Sequence, residues 1–153
     1  MIHGVELVPI TTHADDRGYL AEIYRTDTGY HQRFGGSINQ VYIVEDPVRG
    51  TIRAFHRHKY LWDFFFVGHG SAKFALYDGR EESPTSGETN TIVLGDKRRQ
   101  LLIVPPGVYH GWMSLEDDAL LISVASHTYN REDPDEERVS SDSFGYDWAV
   151  LAR

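Results

Sequence analysis

The chain has 153 residues, a length that suits one domain, and its 41% of hydrophobic residues is enough to build a buried core. Its net charge of −8 argues against nucleic acid as a partner, because phosphate binding requires a basic face. The absence of cysteine excludes disulfides and thiolate chemistry. The N-terminal segment lacks the features of a signal peptide, and no apolar run approaches the roughly 18 residues of a membrane span. We therefore expect one cytoplasmic domain over residues 1–153 that binds no membrane.

Short strands dominate the predicted elements, and they predict an all-β sandwich or barrel. Turns rich in Gly, Pro, Asp and Ser separate them. Asp27–Phe34 and Asp133–Arg138 predict helical turns, Glu132–Glu137 predicts solvated surface, and Tyr146 and Trp148 are expected to anchor the C-terminus by burying aromatic area. In chain order, the predicted strands are Tyr19–Tyr24, Gln40–Val44, Gly50–Phe55, Asp63–Val67, Ser71–Tyr77, Thr91–Leu94, Leu101–Val104 and Ala119–Ala125.

Three histidines and one aspartate in two segments of the chain are candidates for metal binding or proton transfer. His56 and His58 lie two residues apart, so in an extended segment their side chains face the same way. Asp63 follows on an adjoining strand, and His110 follows the turn Pro105–Gly107. Histidine and carboxylate side chains bind divalent metals, and histidine is also a general base near neutral pH. The residues alone leave two interpretations open: a metal site of His56, His58, Asp63 and His110, or a proton-transfer site.

The spacing of these residues resembles the two sequence motifs of the cupins. The segment Gly50–Gly70 has the pattern G-x5-H-x-H-x4-D-x6-G, which is similar to the first motif with aspartate in place of the usual glutamate. The segment Pro105–His110 has the pattern P-x-G-x-x-H, which is similar to the core of the second. The resemblance implies a cupin double-stranded β-helix, or jelly-roll barrel, with a site at its open end. In metal-binding cupins these positions hold one divalent ion.

A more specific resemblance covers most of the chain. Four segments are similar, in family order, to motifs of the dTDP-4-dehydrorhamnose 3,5-epimerase family: Asp16–Glu22 to DxRGxxxE, Gly50–His56 to GvlRGlH, Tyr77–Gly87 to VDxRxxSPTfG, and Ile103–Trp112 to IPxGxxHGF. The resemblance implies an isomerase that acts on a dTDP-4-keto-6-deoxyhexose in deoxysugar or polysaccharide biosynthesis. It also implies a nucleotide-sugar substrate, no cofactor and a homodimer.

A second group of nucleotide-sugar cupins shares part of this pattern. The segments Arg53–Lys59 and Val124–Tyr129 are similar to the dTDP-4-keto-6-deoxyglucose 3,4-ketoisomerases. These enzymes also begin by removing a proton next to a ketone. Single epimerisation, double epimerisation and ketoisomerisation therefore all remain open, as does the identity of the sugar.

The epimerase resemblance implies roles for individual residues. The chemistry requires a base, an acid on the opposite face of the sugar, and a positive or hydrogen-bonding group at the enolate oxygen. The family base corresponds to His56, its orienting carboxylate to Asp142, and the opposing acid to Tyr129. Arg17 corresponds to an arginine that contacts the nucleotide diphosphate. The full set of residues implied in substrate binding is Arg17, Glu22, Arg53, His58, Lys59 and His110.

The chain departs from the family pattern at three positions in this region. Asp63 replaces a lysine, for which Lys59 is the nearby candidate substitute, His58 replaces a glutamine, and Ala54 replaces the glycine of RGxH. Two competing hypotheses remain. One is a metal-dependent cupin, an oxygenase or isomerase with one divalent ion, and the other is a non-catalytic sugar-binding cupin.

Overall fold

A computed structural model describes residues 1–150, and most of their regular secondary structure is antiparallel β-strand. The one α-helix among these residues, α1 (Gly29–Phe34), is too short to cross a membrane, as is the single 3-10 turn at Ser143–Gly145. The strands are β1 (Glu6–Pro9), β2 (Thr12–Asp15), β3 (Gly18–Ala21), β4 (Gln40–Asp46), β5 (Ile52–Arg57), β6 (Asp63–His69), β7 (Ser71–Asp78), β8 (Thr89–Gly95), β9 (Gln100–Val104), β10 (Val108–Ser114), β11 (Ala119–Ala125) and β12 (Glu137–Arg138).

Two five-stranded sheets form the barrel. One has the order β1-β9-β6-β11-β4, the other has the order β12-β5-β10-β7-β8, and β2 and β3 form a separate two-stranded sheet. This arrangement confirms the predicted all-β cupin fold. The single-domain prediction extends to residue 153, and residues 151–153 lie outside the described part.

The apolar run of β6 shows how both faces of the first sheet are buried. Phe65 and Val67 point into the core between the sheets, where they join Phe74 of β7. Phe64 and Phe66 point outward and pack under a second cluster that includes side chains of α1. A strand that is covered on both faces has a continuous hydrophobic sequence. This explains why polar and apolar residues do not alternate in this segment.

The structure differs from the predicted elements in two places. The turn predicted at Pro105–Gly107 is present at residues 106 and 107, but no strand is predicted after it, and β10 begins at Val108 with all seven of its residues buried in the centre of the second sheet. Residues 133–138 were expected to form a helical turn. Their last two residues instead form β12 and pair with β5, because the exposed edge of that strand offers backbone hydrogen bonds. The helical turn predicted at Asp27–Phe34 is confirmed as α1.

The C-terminal anchor is confirmed. The Trp148 side chain is buried, its ring centroid lies 5.6 Å from that of Phe55, and its Nε1 donates to the carbonyl of Ser141 at 2.8 Å. Lys73 is also buried, and its Nζ donates to the Trp148 carbonyl at 2.5 Å. The chain after β12 is thereby held on the outer face of the second sheet.

The segment Ser83–Thr85, part of the third motif shared with the epimerases, has a structural role. The fully buried carboxylate of Asp78 accepts hydrogen bonds from Arg80 Nε at 2.8 Å and from the hydroxyls of Ser83 and Thr85, both at 2.6 Å. Burial on its own would raise the pKa of Asp78, but these bonds lower it overall. The segment is therefore a turn that is closed around one carboxylate.

We expect Asp78→Asn to lower the free energy of unfolding by about 3 kcal/mol at neutral pH, because Arg80 loses its buried charge partner. The folded-state pKa of Asp78 is depressed, so its contribution is present above the unfolded pKa of about 3.9 and declines as the pH falls below it. Urea denaturation at several pH values measures the effect. The exposed Asp133→Asn is the control; equal stability of the two variants would contradict the role of Asp78.

Candidate active site

One cavity of about 710 Å3 opens between the two sheets. This volume lies within the range of about 300–1,000 Å3 that is typical of small-molecule sites. Its walls come from β4, β5, β6, β10, β11 and the segment around β12. The polar side chains that line it include Gln40, Tyr42, Arg53, His56, His58, Asp63, His110, Tyr129, Glu136 and Arg138.

His56 lies on β5 and is held by a carboxylate that the sequence did not indicate. Its Nδ1 lies 2.5 Å from Glu136 Oε1, and Arg138 Nε donates to the other oxygen of Glu136 at 2.9 Å. Burial would raise the pKa of Glu136, but its contacts with Arg138 and His56 lower it overall, so this group is a carboxylate at neutral pH. With Nδ1 engaged, Nε2 of His56 is the nitrogen available to a substrate.

The expectation that Asp142 orients His56 is wrong. Asp142 is exposed, does not line the cavity, and forms a side-chain hydrogen bond with Ser140. After β12 the chain turns onto the outer face of the second sheet toward the Trp148 anchor, which carries Asp142 away from His56. Glu136 contacts His56 instead, because β12 begins at the residue after Glu136 and pairs with β5, the strand that carries His56.

The acidic stretch was expected to be solvated surface, and this is wrong for two of its residues. Asp135 Oδ1 accepts from the backbone nitrogen of Lys59 at 2.7 Å, and its Oδ2 accepts from those of Tyr60 and Leu61 at 2.9 Å each. Asp135 therefore holds the loop after β5 in place, and Glu136 lines the cavity. No local signal marks them, since their partners lie 74 to 80 residues earlier in the chain.

Three of the four candidate metal ligands meet at the floor of the cavity. Nε2 of His58 and Nε2 of His110 each lie 3.4 Å from Asp63 Oδ2. Burial raises the pKa of Asp63 to about 7, and burial together with the neighbouring His58 lowers the pKa of His110 to about 3. His110 is therefore neutral near pH 7. His56 is not part of this group of mutually close ligand atoms.

Arg53 reaches the cavity through an irregularity in the β5–β10 pairing. His56 pairs with His110 while Arg53 pairs with Trp112, so β5 holds one residue more than β10 over this interval. Such a bulge re-aims side chains, and Arg53 lines the same cavity as His56. Its Nε donates to the buried Asp46 at 2.8 Å, which leaves the rest of the half-exposed guanidinium for a ligand.

Two tyrosines also line the cavity. Tyr129 is 57% exposed, and its backbone nitrogen donates to Gln40 Oε1 at 2.7 Å. Tyr42 on β4 was not identified from the sequence, although its strand was predicted. Burial and the nearby charge of Asp63 raise the pKa of Tyr42, so its hydroxyl stays protonated at neutral pH.

Three predicted binding residues lie outside this cavity. Lys59 is exposed in the loop after β5 and does not take the place of the missing lysine. Arg17 lies on the β2–β3 hairpin, is 86% exposed and pairs with Asp15 at 2.5 Å. Glu22 follows the same hairpin and pairs with Arg25 at 2.8 Å. Within one chain, the expectation that these side chains line the site is wrong.

Comparison with known proteins identifies the family. The sequence profile of dTDP-4-dehydrorhamnose 3,5-epimerase matches residues 1–153. The chain belongs to this family. It is 38% identical over 152 residues to the spore coat polysaccharide biosynthesis protein SpsL of Bacillus subtilis, with 97% of each chain covered. It is 36% identical over 143 residues to the probable low-salt glycan biosynthesis epimerase Agl13 of Haloferax volcanii, covering 92% of this chain and 89% of that protein.

Solved structures agree with this assignment. A dTDP sugar isomerase from Desulfovibrio desulfuricans G20 superposes with a TM-score of 0.87 at 26% identity, covering 99% of this chain and 94% of that one. The rmlC epimerase of Mycobacterium tuberculosis superposes with a TM-score of 0.85 at 26% identity, covering 95% and 74%. The cavity lined by His56 is thus set in the fold of an epimerase family.

Proposed function

We propose that this protein epimerises a dTDP-4-keto-6-deoxyhexose by removing and returning a proton next to the ketone, in the biosynthesis of a deoxysugar or polysaccharide. The contact between His56 and Glu136 in the ligand-sized cavity carries the proposal. Family membership supports the substrate class. The histidine–carboxylate pair supports the reaction type, because proton abstraction near neutral pH requires such a base.

The first half-reaction follows from the geometry of this pair. Nε2 of His56 removes the proton α to the ketone while Nδ1 stays bound to Glu136. The carboxylate stabilises the imidazolium that forms and fixes the orientation of the ring. The free face of the Arg53 guanidinium binds the diphosphate, since arginine offers several donors to phosphate oxygens.

The direct test is proton exchange with solvent. The protein is incubated in deuterated water with dTDP-4-keto-6-deoxyglucose, and deuterium at C3 and C5 is followed by NMR and mass spectrometry. We expect deuterium to enter at one or both positions. dTDP-glucose is the control because it has no ketone to acidify the neighbouring proton. Absence of exchange at both carbons would contradict the proposed function for this substrate class.

The second half-reaction requires an acid, and we assign it to Tyr129. We expect Tyr129→Phe to retain deuterium exchange by His56 but to form epimerised product about 100-fold more slowly, because the phenol no longer supplies a proton. Tyr42→Phe is the matched comparison, since Tyr42 lines the same cavity. Rates of exchange and of product formation are measured together. If only the Tyr42 variant loses product formation, Tyr42 rather than Tyr129 is the acid.

We further propose a homodimer in which Arg17 serves the partner's cavity. The β2–β3 hairpin pairs only with itself within residues 1–150 and exposes Tyr19 and Leu20, which are 58% and 60% exposed. The resemblance implies a nucleotide role for Arg17, and Arg17 does not line the cavity of its own chain. A second copy resolves this discrepancy and covers the hairpin.

Mixing two inactive variants tests this arrangement. Arg17→Ala and His56→Asn are each expected to be impaired, and mixed dimers are expected to regain activity because one cavity then holds both native side chains. Each variant mixed with itself is the control. Failure of the mixture under conditions of subunit exchange, or a monomeric mass in solution, would contradict the shared site.

A further inference from the structure

Three hydrogen-bond acceptors converge at the floor of the cavity. Nδ1 of His58 lies against the carbonyl oxygen of Asp135, and Nδ1 of His110 lies 3.1 Å from that of Val108. A carbonyl oxygen only accepts, so each Nδ1 carries the ring proton and each Nε2 presents a lone pair. Both Nε2 atoms face Asp63 Oδ2. A single proton on Asp63 can satisfy one of these nitrogens but not both.

The distances between these atoms fit a shared cation better than hydrogen bonds. Each Nε2···Oδ2 distance is 3.4 Å, longer than the usual upper limit of about 3.2 Å. Ligands at about 2.1 Å from a tetrahedral ion lie about 3.4 Å apart. The ligand atoms of the three residues all lie within 4.8 Å of one another. The side chains of His58, Asp63 and His110 are 14%, 3% and 8% exposed, so water satisfies them poorly.

The surroundings of the two histidines match those of metal ligands. Ligating histidines donate their second ring nitrogen to a carbonyl or carboxylate, which fixes the ring and the tautomer. His58 and His110 both do so through Nδ1. Their supports belong to separate parts of the chain, the segment before β12 and the start of β10. The site is therefore held in place without the ion.

We propose that His58, Asp63 and His110 bind one divalent first-row transition-metal ion. Three protein ligands leave coordination positions open toward the cavity, and two nitrogens with one carboxylate oxygen suit such ions. That this ion would act on the sugar substrate rests on the proposed function. A bound divalent ion supplies positive charge for an oxygen that becomes negative, which is the charge lost where Asp63 replaces the family lysine.

Direct binding tests the site without substrate. Untagged protein is treated with EDTA, dialysed, and titrated with Co2+ and with Zn2+, using the visible cobalt spectrum, calorimetry and the thermal midpoint as readouts. We expect one equivalent to bind and to raise the midpoint. Asp63→Asn and His110→Ala are each expected to weaken binding by more than about 100-fold. His56→Asn is expected to bind normally because His56 is not among the ligands.

A surface pair supplies the matched control. His69 Nδ1 lies 3.6 Å from Asp96 Oδ2, and the His69 side chain is 67% exposed, so His69→Ala is expected to leave binding unchanged. Circular dichroism verifies that each variant is folded; if Asp63→Asn is not, His110→Ala decides. No stoichiometric binding, or binding that survives in the folded ligand variants, overturns the proposal. If metal-free protein still exchanges deuterium into the sugar, the proposed function stands whatever the result for the metal. If the protein binds metal but exchanges no deuterium, the proposed function is rejected and the metal site stands.

Discussion

Replacing His56 with asparagine is expected to lower the rate of deuterium exchange into the sugar by about 10²- to 10⁴-fold, the range typical of a lost general base. The asparagine amide can still donate to Glu136, so the variant keeps the contact that His56 makes through Nδ1. What it lacks is a basic nitrogen at the position of Nε2. The loss is therefore expected in the chemical step, with substrate binding largely retained.

The measurement compares exchange rates at saturating substrate and the affinity for dTDP. His69→Asn is the control because His69 is an exposed histidine outside the cavity. Retention of wild-type exchange in the His56 variant would show that another group removes the proton. An equal loss in the His69 variant would point to an unspecific effect on the fold.

Glu136→Gln is expected to have the second-largest effect, a decrease in kcat of about 10²- to 10⁴-fold with little change in KM. A neutral amide cannot stabilise the imidazolium, and it allows the ring to adopt the wrong tautomer. The same change also removes the charge that Arg138 contacts. Steady-state kinetics with the 4-keto sugar nucleotide separates the two parameters.

Asp142→Asn is the decisive comparison for Glu136. Asp142 is the residue that the family resemblance implied, and the structure places it in an exposed turn. We expect this variant to retain near wild-type kcat. The reverse result, with a strong loss for Asp142→Asn and none for Glu136→Gln, would restore the original assignment and contradict the geometry of the site.

The sequence by itself was sufficient for the fold class and for four of the residues that line the cavity, His56, His58, Asp63 and His110. The strand predicted at Ala119–Ala125 agrees with β11 at both ends, because its composition is dominated by β-branched and long apolar side chains. The alternation rule correctly placed His56 and His58 in one cavity. These features depend on local periodicity, which one segment of chain carries in full.

Only the tertiary structure decided which carboxylate serves His56 and how Arg53 joins it. Glu136 reaches His56 through β12, a strand of two residues whose pairing with β5 joins positions about 80 apart in the chain, and no local pattern encodes such a contact. Arg53 and His56 are three residues apart, so regular alternation places them on opposite faces, and the bulge against β10 brings both into the cavity. Sequence periodicity therefore predicted the barrel and the shared face of His56 and His58, whereas long-range strand pairing determined which side chains contact His56.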